Sequence, residues 1–436
     1  MTSHIETAHV AGCVGSRPRP SLRDRRRTLC VAVVDEELPY PANSGKRIRT
    51  LNLLLPLAKR HQITYLAHQS PDADETAQAA TFLQDQGIKP VLLDRRVPGK
   101  SGAAFFARLL VNLLSPLPYS VQVHNSTRLR LAIRRHAAAE PVDLWHCEWT
   151  PYAQSLCSAV RTPWIVMAHN VESLIWERYW QTETNPWRRW YIRRQWHKFE
   201  RFERRVFALA DQVIAVSQQD AALARDRFGA ERVAVVDNGV DTAYFCPDGS
   251  ARERRSVLFL GSLDWRPNQD AVQVLLDRIF PAVLQHEPLA RLVVAGRKPP
   301  PWLVEKVRAC PNAVLDADLP DVRPLLRRCG LMAVPLRVGG GSRLKILEAL
   351  ATECPVVSTR IGAEGLALVR DKHYIQVESA EQMVSDLVAS IRNPQPIRDM
   401  AACGRRLVVE RYAWPRLADK LEEIWLKQGA SNGDQE

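Results

Sequence analysis

The sequence has few of the features that define small secreted or membrane-spanning proteins. Its nine cysteines are scattered, with no CxxC pair and no Cys/His cluster at zinc-site spacing, which argues against a disulfide framework and favours reduced thiols. No run of about 18 apolar residues is present, so no membrane-spanning helix is predicted. No apolar segment of a signal peptide follows the basic N-terminal stretch. We therefore expect a cytoplasmic protein.

The charge of the chain is strongly positive. The net charge is +12 and the pI about 9.4, which indicates an anionic partner such as a diphosphate ligand, an acidic membrane or nucleic acid. Six arginines lie beside prolines within residues 17–27, and we interpret residues 1–27 as a disordered basic leader. No RNP, KH or zinc-finger signature is present, so nucleic acid is not the expected partner.

Short apolar runs alternate with helical segments from residue 29 onward. The predicted strands of the first half are 29–34, 63–68, 89–94, 142–148, 163–170, 212–217 and 233–239. Those of the second half are 256–262, 290–296, 312–319, 331–337, 355–362 and 374–379. This pattern predicts two doubly wound α/β domains with parallel sheets, at 28–240 and 241–410. A C-terminal helix and tail would follow at 411–436.

Residues 331–362 form the predicted functional centre. A short apolar strand ends at a glycine loop, which continues into a segment with helical spacing and Ser342 as the expected N-cap. The loop consists of Gly339, Gly340 and Gly341. Glycines allow the backbone to approach a ligand closely, and the free amides at a helix start favour an anion.

The same helix carries three charged side chains in its first two turns. Arg343 and Lys345 oppose the helix dipole, which a bound anion would explain, and Glu348 can accept hydrogen bonds from a sugar diol. The alternative is an ordinary surface helix whose cations are solvated. Ligands of doubly wound sheets bind beyond the carboxyl ends of the strands, so we expect a cleft between the domains, with loops 41–47 and 169–172 on the opposite wall.

Three separated motifs resemble glycosyltransferase family 4, and in particular its exopolysaccharide-associated sugar transferases. They are PLRVGGGSRLKILEALATECPVVSTRIGAEGL at 335–366, VDNGVDTAYFCP at 236–247 and LFLGSLDWRPNQDAV at 258–272. The resemblance implies a GT-B fold of two Rossmann-like domains that face each other across a cleft. It also implies a retaining mechanism, a nucleotide-sugar donor held mainly by the C-terminal domain, and no metal or other cofactor.

The resemblance also assigns roles to single residues. Glu348 matches the glutamate that holds the donor ribose, and His169 matches a histidine near the transferred sugar. Gly45, with Ser44 and with Arg47 or Lys46 adding charge, matches a glycine loop near the acceptor and the donor phosphate. The expected donor-binding residues are Gly339, Gly340, Gly341, Ser342, Glu348 and Gly261.

The sequence departs from the family pattern at two points. A glutamate that is common eight residues before Glu348 is replaced by Gly340, and the usual Arg and Lys after the first strand of the second domain are replaced by Ser262 and the pair at 267–268. Arg343 and Lys345 are the available substitutes for neutralising the phosphates. With His169, we predict them to be catalytic.

A segment rich in tryptophan and arginine lies at 173–206. Its five tryptophans are interleaved with basic residues, a composition that suits an anionic bilayer surface where a lipid-linked acceptor would reside. Alternatively, Ile192, Trp196, Phe199, Val206 and Leu209 form an ordinary core stripe. A second candidate is the apolar segment 105–117. Attachment to the cytoplasmic face of the inner membrane is therefore one expectation.

The predicted function is transfer of a hexose to a lipid-linked or oligosaccharide acceptor in the synthesis of a cell-surface polysaccharide. One alternative is a nucleotide-sugar epimerase of the same fold, which would need no acceptor. Another is a non-catalytic, basic protein that binds nucleic acid or another anion. The sequence does not fix the donor sugar, the nucleotide, the linkage or the oligomeric state.

Overall fold

The computed structural model describes residues 27–93, 98–99, 102–338 and 343–430. The predicted basic leader up to residue 26 and the glycine loop with Ser342 lie outside these ranges. Within them, every predicted strand is present, at boundaries within a few residues of those expected. The strands form two parallel sheets, which confirms the predicted α/β architecture. The predicted domain limits at 240 and 410 stay predictions.

The first sheet has seven parallel strands in the order β3-β2-β1-β4-β5-β6-β7. The strands are β1 (Cys30–Val34), β2 (Gln62–His68), β3 (Ile88–Leu93), β4 (Leu144–Cys147), β5 (Trp164–Ala168), β6 (Gln212–Ala215) and β7 (Val233–Val235). Val31 pairs with Ile63 on one side and with Leu144 on the other. Separate apolar clusters lie on the two faces of the sheet, as expected for parallel strands that are covered by helices on both sides.

The described residues up to 230 contain nine α-helices. They are α1 (Gly45–Ala58), α2 (Ala73–Asp85), α3 (Ala103–Leu113), α4 (Tyr119–His124), α5 (Thr127–Ala139), α6 (Ala153–Leu156), α7 (Glu172–Thr182), α8 (Pro186–Leu209) and α9 (Gln218–Phe228). Side-chain caps explain where several begin: Ser44 accepts from the amide of Arg47, and Ser217 accepts from the amide of Asp220.

The second sheet has six parallel strands in the order β10-β9-β8-β11-β12-β13. The strands are β8 (Glu253–Leu260), β9 (Arg291–Gly296), β10 (Ala313–Ala317), β11 (Cys329–Val334), β12 (Val356–Thr359) and β13 (Ile375–Val377). The helices are α10 (Arg266–Val274), α11 (Phe280–His286), α12 (Pro301–Ala309), α13 (Arg323–Arg328), α14 (Leu344–Ala351), α15 (Ala380–Arg392), α16 (Gln395–Arg411) and α17 (Trp414–Gly429). One large apolar cluster fills this domain.

The helix α17 follows the second domain in the sequence but packs on the first domain. Trp414, Leu421 and Trp425 are buried in the same cluster as residues of β1 and α1. A Cβ atom on Gly239 would lie 2.6 Å from side-chain atoms of Leu417 and Trp414, so only glycine fits where the interdomain connection passes under this helix. Among the described residues, no helix is long and apolar enough to cross a membrane.

Candidate active site in the interdomain cleft

The loops that follow the strands of the two sheets meet across a cleft. Arg297, just after β9, donates a 2.5 Å hydrogen bond to the carbonyl oxygen of Asn43, just before α1. On the other side, Arg178 of α7 lies 3.8 Å from Glu364, in the loop after β12. These contacts link the two domains near the carboxyl ends of their strands. In doubly wound sheets, ligands bind at these ends.

Helix α14 begins later than the sequence predicts. Its first residue is Leu344, and Arg343 occupies the N-cap position without a side-chain capping bond. The prediction of Ser342 as N-cap is therefore wrong. Arg343 is only 4% exposed, so its side chain turns into the protein. The predicted contributions of Gly339, Gly340, Gly341 and Ser342 to donor binding fall outside the described residues and stay predictions.

Lys345 lies against the end of β8. Its Nζ donates a 2.8 Å hydrogen bond to Oδ1 of Asn268 and lies 4.8 Å from the ring centroid of Phe259. A Cβ atom on Gly261 would be 2.7 Å from this Nζ, so Gly261 is the residue that leaves room for the ammonium group. Burial, with repulsion from Arg343, lowers the pKa of Lys345 to about 7.

Glu348, one turn further along α14, lines a cavity of about 360 Å³ between the domains. The cavity is bounded by α1, by the interdomain connection and by the loop after β10, through residues that include Asn52, Tyr244 and Val322. Burial raises the pKa of Glu348 to about 7, although Lys345 acts in the opposite direction. A polar carboxyl group thus points into an otherwise largely apolar interdomain pocket.

Arg343 faces a second, smaller interdomain cavity of about 190 Å³, with Ser217, Asp237 and Glu364 among the lining residues. Its Nη2 lies 3.7 Å from Oε2 of Glu364. Within the described part of the chain, its Nε and Nη2 have no hydrogen-bond partner. Arg343 and Lys345, which the sequence grouped as one anion site, therefore have different surroundings.

His169 follows β5 and bonds to a carboxylate that the sequence analysis did not identify. Its Nε2 lies 3.1 Å from Oε1 of Glu148, which also accepts a 2.6 Å hydrogen bond from Thr50. Glu172, the carboxylate nearest to His169 in the sequence, accepts instead from the indole N–H of Trp149. Glu148 directly follows β4 and His169 directly follows β5, and these two strands are parallel neighbours. The sequence could therefore have indicated that the two side chains lie close together.

Glu148 is ionised and holds both histidine rings in a defined orientation. Burial alone would raise its pKa, but hydrogen bonds from His146 and His169 outweigh that effect and place the pKa well below its usual range. Nδ1 of His146 accepts from the indole N–H of Trp425 in α17 at 3.2 Å. Its Nε2, 3.0 Å from Oε2 of Glu148, therefore carries the proton.

The predicted phosphate loop at the start of α1 uses its two cations differently. Ser44 caps the helix and Gly45 is its first residue. Arg47 is 7% exposed and is paired with Glu37 at 2.5 Å and Glu75 at 2.8 Å, so both carboxylates already neutralise it. Its role in phosphate binding stays a prediction.

Lys46, the other cation named for this loop, lies at the end of β1. It forms an ion pair with the buried Asp35, which also accepts a 2.7 Å hydrogen bond from Tyr65. Its Nζ lies 5.4 Å from the ring centroid of Trp149. Burial opposes the charge of Lys46, but attraction to Asp35 and Glu36 outweighs that effect and raises its pKa.

Arg49 fixes the interdomain connection to α1. This side chain is 1% exposed and donates to the carbonyl oxygens of Asp237 and Val236, both at 2.6 Å, and to Oδ1 of Asn238 at 3.0 Å. Burial lowers its pKa to about 10. Sequence reasoning gave Arg49 no role, because its partners lie almost two hundred positions away.

Among the described residues, no group of three or more His, Cys, Asp and Glu side chains is arranged to hold a metal ion. The eight described cysteines are all free thiols.

Comparison with known proteins places this arrangement in a family. The model described as Glycosyltransferase Family 4 matches residues 43–244, and the model described as Glycosyl transferases group 1 matches residues 254–393. D-inositol 3-phosphate glycosyltransferase of Salinispora tropica is 28% identical over 51% of this chain and 52% of its own length, so the chain matches about half of that relative.

Two further proteins illustrate how far the similarity extends. GDP-mannose:cellobiosyl-diphosphopolyprenol alpha-mannosyltransferase of Xanthomonas oryzae pv. oryzae is 33% identical over 22% of this chain and 24% of its own length. The structure of HepE from Anabaena, solved with UDP and glucose, superposes with a TM-score of 0.63 at 13% identity, over 91% of this chain and 99% of HepE. The chain therefore belongs to glycosyltransferase family 4 and has the GT-B fold.

Proposed function

We propose that this chain transfers a hexosyl group from a nucleoside diphosphate sugar to a saccharide acceptor, with retention of configuration and without a metal ion. The observation that carries the proposal is Lys345, a buried ammonium group whose hydrogen-bond partner is the neutral amide of Asn268. Glu348 attracts this ammonium group, but burial and repulsion from Arg343 outweigh that attraction, so the cation is only partly balanced within the protein. A diphosphate beside Gly261 would supply the missing negative charge, and a sugar nucleotide is the anion that fits the family.

The nucleoside of the donor would occupy the cavity that Glu348 lines. Its volume of about 360 Å³ lies within the range of roughly 300–1,000 Å³ that is typical of small-molecule sites. The carboxyl group of Glu348 can accept hydrogen bonds from the ribose diol, and the half-exposed ring of Tyr244 offers an apolar surface for the base. HepE, which shares the fold, was solved with UDP and glucose, and this supports a nucleotide sugar as the donor.

The reaction breaks the bond between the anomeric carbon and the phosphate oxygen and joins that carbon to the acceptor oxygen. The acceptor proton would pass to the departing diphosphate. Negative charge on the diphosphate would be offset by Lys345 and by Arg297, whose Nη2 lies 3.4 Å from Oγ of Ser262 at the end of β8. One well-placed donor of this kind contributes roughly 3 kcal/mol, and these fixed cations take the place of a metal.

His169 would position the transferred sugar and would not act in proton transfer. The ionised Glu148 accepts from Nε2, so this nitrogen is already used, and Nδ1 is the atom left for a sugar hydroxyl. The neighbouring N-terminal loop, with Lys46 and Asp35, would face the acceptor.

We extend the proposal to a lipid-linked saccharide acceptor in the synthesis of an exopolysaccharide. The name of the Xanthomonas relative describes transfer to a cellobiosyl-diphosphopolyprenol, and the motifs of this chain resemble those of exopolysaccharide-associated transferases. A polyprenol diphosphate is anionic, which agrees with the net charge of +12. Work at a lipid surface implies peripheral attachment of the protein to a membrane.

The test begins with thermal unfolding in the presence of nucleoside diphosphates and nucleotide sugars, with Mg²⁺ or with EDTA. A ligand at 100 times its Kd should stabilise the protein by about 2.7 kcal/mol. The stabilising donor is then incubated with polyprenol-diphosphate saccharides, and we expect an elongated product and free nucleoside diphosphate. Stabilisation only with Mg²⁺ would refute the metal-free part, and release of an epimer without acceptor would refute transfer.

A further inference from the structure

Helix α3 has an inverted distribution of polar and apolar side chains. Every residue of this helix is described, and the one that is buried is the polar Asn112. Phe106 and Leu110 are 63% and 67% exposed, and Leu114, at the C-cap, is 91% exposed. Their spacing of four residues places them on one face. A soluble helix normally turns such a face toward the core, so this one is built to meet an apolar surface.

The buried polar residue attaches this helix to α8. Oδ1 of Asn112 accepts a 2.8 Å hydrogen bond from Gln195, and its carbonyl oxygen accepts a 2.5 Å bond from Lys198. In the turns of α8 that precede Gln195, Trp187 is 81% exposed and Trp190 is 50% exposed. The two segments that the sequence analysis named as candidates for membrane binding, 105–117 and 173–206, thus lie next to each other.

Helix α8 is a core helix only in its second half. Phe199 and Val206 are buried, as the core alternative requires. Leu209, which that alternative placed in the same stripe, is 51% exposed, and this part of the alternative is wrong. The N-terminal half is exposed and presents arginines at 188, 189, 193 and 194.

The charge within these two sequence segments has one sign. No Asp or Glu occurs from residue 95 to 139 or from 186 to 198. The basic residues of these two segments are Arg95, Arg96, Lys100, Arg108, Arg128, Arg130, Arg134, Arg135, Arg188, Arg189, Arg193, Arg194 and Lys198. A nucleic acid would match this charge but would offer no apolar surface to the aliphatic side chains of α3. An anionic bilayer matches both.

We propose that α3 and the N-terminal half of α8 together form a docking surface for an anionic lipid bilayer, which we call the α3/α8 surface. The apolar side chains enter the interface between head groups and acyl chains, while the arginines contact lipid phosphates. The inference deepens the proposed function, because a lipid-linked acceptor would be presented at this surface.

Helix α4 connects the α3/α8 surface to the cleft. At its start, the amide of Tyr119 donates to Gln195 of α8 at 2.9 Å. At its end, His124 lies 3.8 Å from Glu36, next to the ion pair of Lys46. Six helical residues span about 9 Å, so a saccharide attached to a lipid head group would be close to the N-terminal wall of the site.

The experiment is co-sedimentation of the full-length chain with vesicles of phosphatidylcholine, with and without phosphatidylglycerol. We expect binding only to the anionic vesicles, and weaker binding at high salt. The variant Phe106→Ser/Leu110→Ser/Leu114→Ser should bind at least tenfold less. The matched control is Leu289→Ser/Trp302→Ser, which alters two side chains of the other domain that are 66% and 42% exposed, and it should bind like the wild type.

The arginines are tested separately with Arg188→Gln and Arg194→Gln. Each substitution should lower the partition coefficient by roughly fivefold, the equivalent of about 1 kcal/mol per cation near an anionic surface. Because these side chains are exposed, the thermal unfolding midpoint should not change.

Three results would overturn the inference. In the first, the wild-type protein stays in the supernatant with anionic vesicles. In the second, the α3 variant and its control lose the same amount of binding. In the third, the α3 variant binds vesicles like the wild type but changes from a dimer to a monomer. The last would make the surface an interface between copies. An assay of transfer to a short, water-soluble saccharide acceptor separates this inference from the proposed function. The α3 variant should retain this transfer activity. If the protein binds vesicles but transfers to no acceptor, only the proposed function is refuted.

Discussion

Lys46 and Lys345 occupy comparable positions in the two domains but differ in their partners. Each lies in the first turn of a helix that follows a parallel strand, and each reaches toward the cleft. Lys46 is paired with the buried carboxylate of Asp35, and its pKa is raised. Lys345 has the neutral amide of Asn268 as its partner, and its pKa is lowered to about 7.

The difference separates a structural cation from a functional one. The charge of Lys46 is already balanced within the protein, so it stabilises the loop whether or not a ligand is bound. The charge of Lys345 is only partly balanced without a ligand, because burial and repulsion from Arg343 outweigh its attraction to Glu348. An anion that binds beside Lys345 therefore gains from a site that is organised in advance of binding.

The largest expected effect comes from exchanging each lysine for methionine. Lys345→Met should lower kcat by about 100-fold or more, since a donor to the developing charge is lost, and should leave stability unchanged or higher. Lys46→Met should instead destabilise the protein by about 2 kcal/mol, because Asp35 is left buried without its partner. Kinetics with the donor found in the binding panel and thermal unfolding of both variants check this pair. If Lys46→Met and Lys345→Met lose turnover equally, the assignment of Lys46 as structural and Lys345 as functional is wrong.

The same comparison applies to two buried arginines. Arg49 donates three hydrogen bonds to the interdomain connection, and Arg49→Met should lower stability by about 3 kcal/mol, as backbone carbonyls lose their donors. Arg343→Met removes a guanidinium group whose Nε and Nη2 have no hydrogen-bond partner among the described residues, although Nη2 lies 3.7 Å from Glu364, so stability should change by less than about 1 kcal/mol while turnover falls. Urea unfolding midpoints measure both. A large loss of stability in Arg343→Met would contradict this assignment.

The pKa of Lys345 predicts how donor affinity depends on pH. A bound diphosphate raises that pKa, so binding takes up a proton above pH 7 and affinity must fall as the pH rises. The slope should approach tenfold per pH unit, as titration calorimetry between pH 6 and 9 would show. Lys345→Arg should flatten the profile, since arginine stays charged. Glu348→Gln removes the other group with a pKa of about 7, and persistence of the slope in that variant would assign it to Lys345.

The smallest effects are expected along the chain of hydrogen bonds behind His169. Glu148→Gln should lower kcat by roughly tenfold with little change in KM for the donor, because a neutral amide no longer orients both histidines. Trp425→Phe removes the bond to His146 at the far end and should lower kcat only about twofold. Matching circular dichroism spectra would exclude misfolding. Wild-type kcat in Glu148→Gln would show that the orientation of His169 is not required.

Local sequence was sufficient for the fold and for part of the site. Strands that are buried on both faces are continuous apolar runs, so each predicted strand is present in the structure, and the motif around Glu348 placed it on the helix after β11. The placement of Gly261 beside Lys345 agrees with their assignment to one site. The predicted N-cap of α14 was wrong by one residue, because the buried Arg343 and not Ser342 directly precedes Leu344.

Contacts between distant segments were decided by the tertiary structure. Glu148 meets His169 because two strands pair in parallel, and Trp425 reaches this pair because α17 returns to the first domain. Arg47 is neutralised by carboxylates of two other segments, which its own neighbourhood did not reveal. The apolar face of α3 has the composition of a core helix, and only the burial of Asn112 shows that this face is turned outward. Periodicity in a sequence reveals which residues share a face, whereas the direction of that face depends on which other segments pack against it.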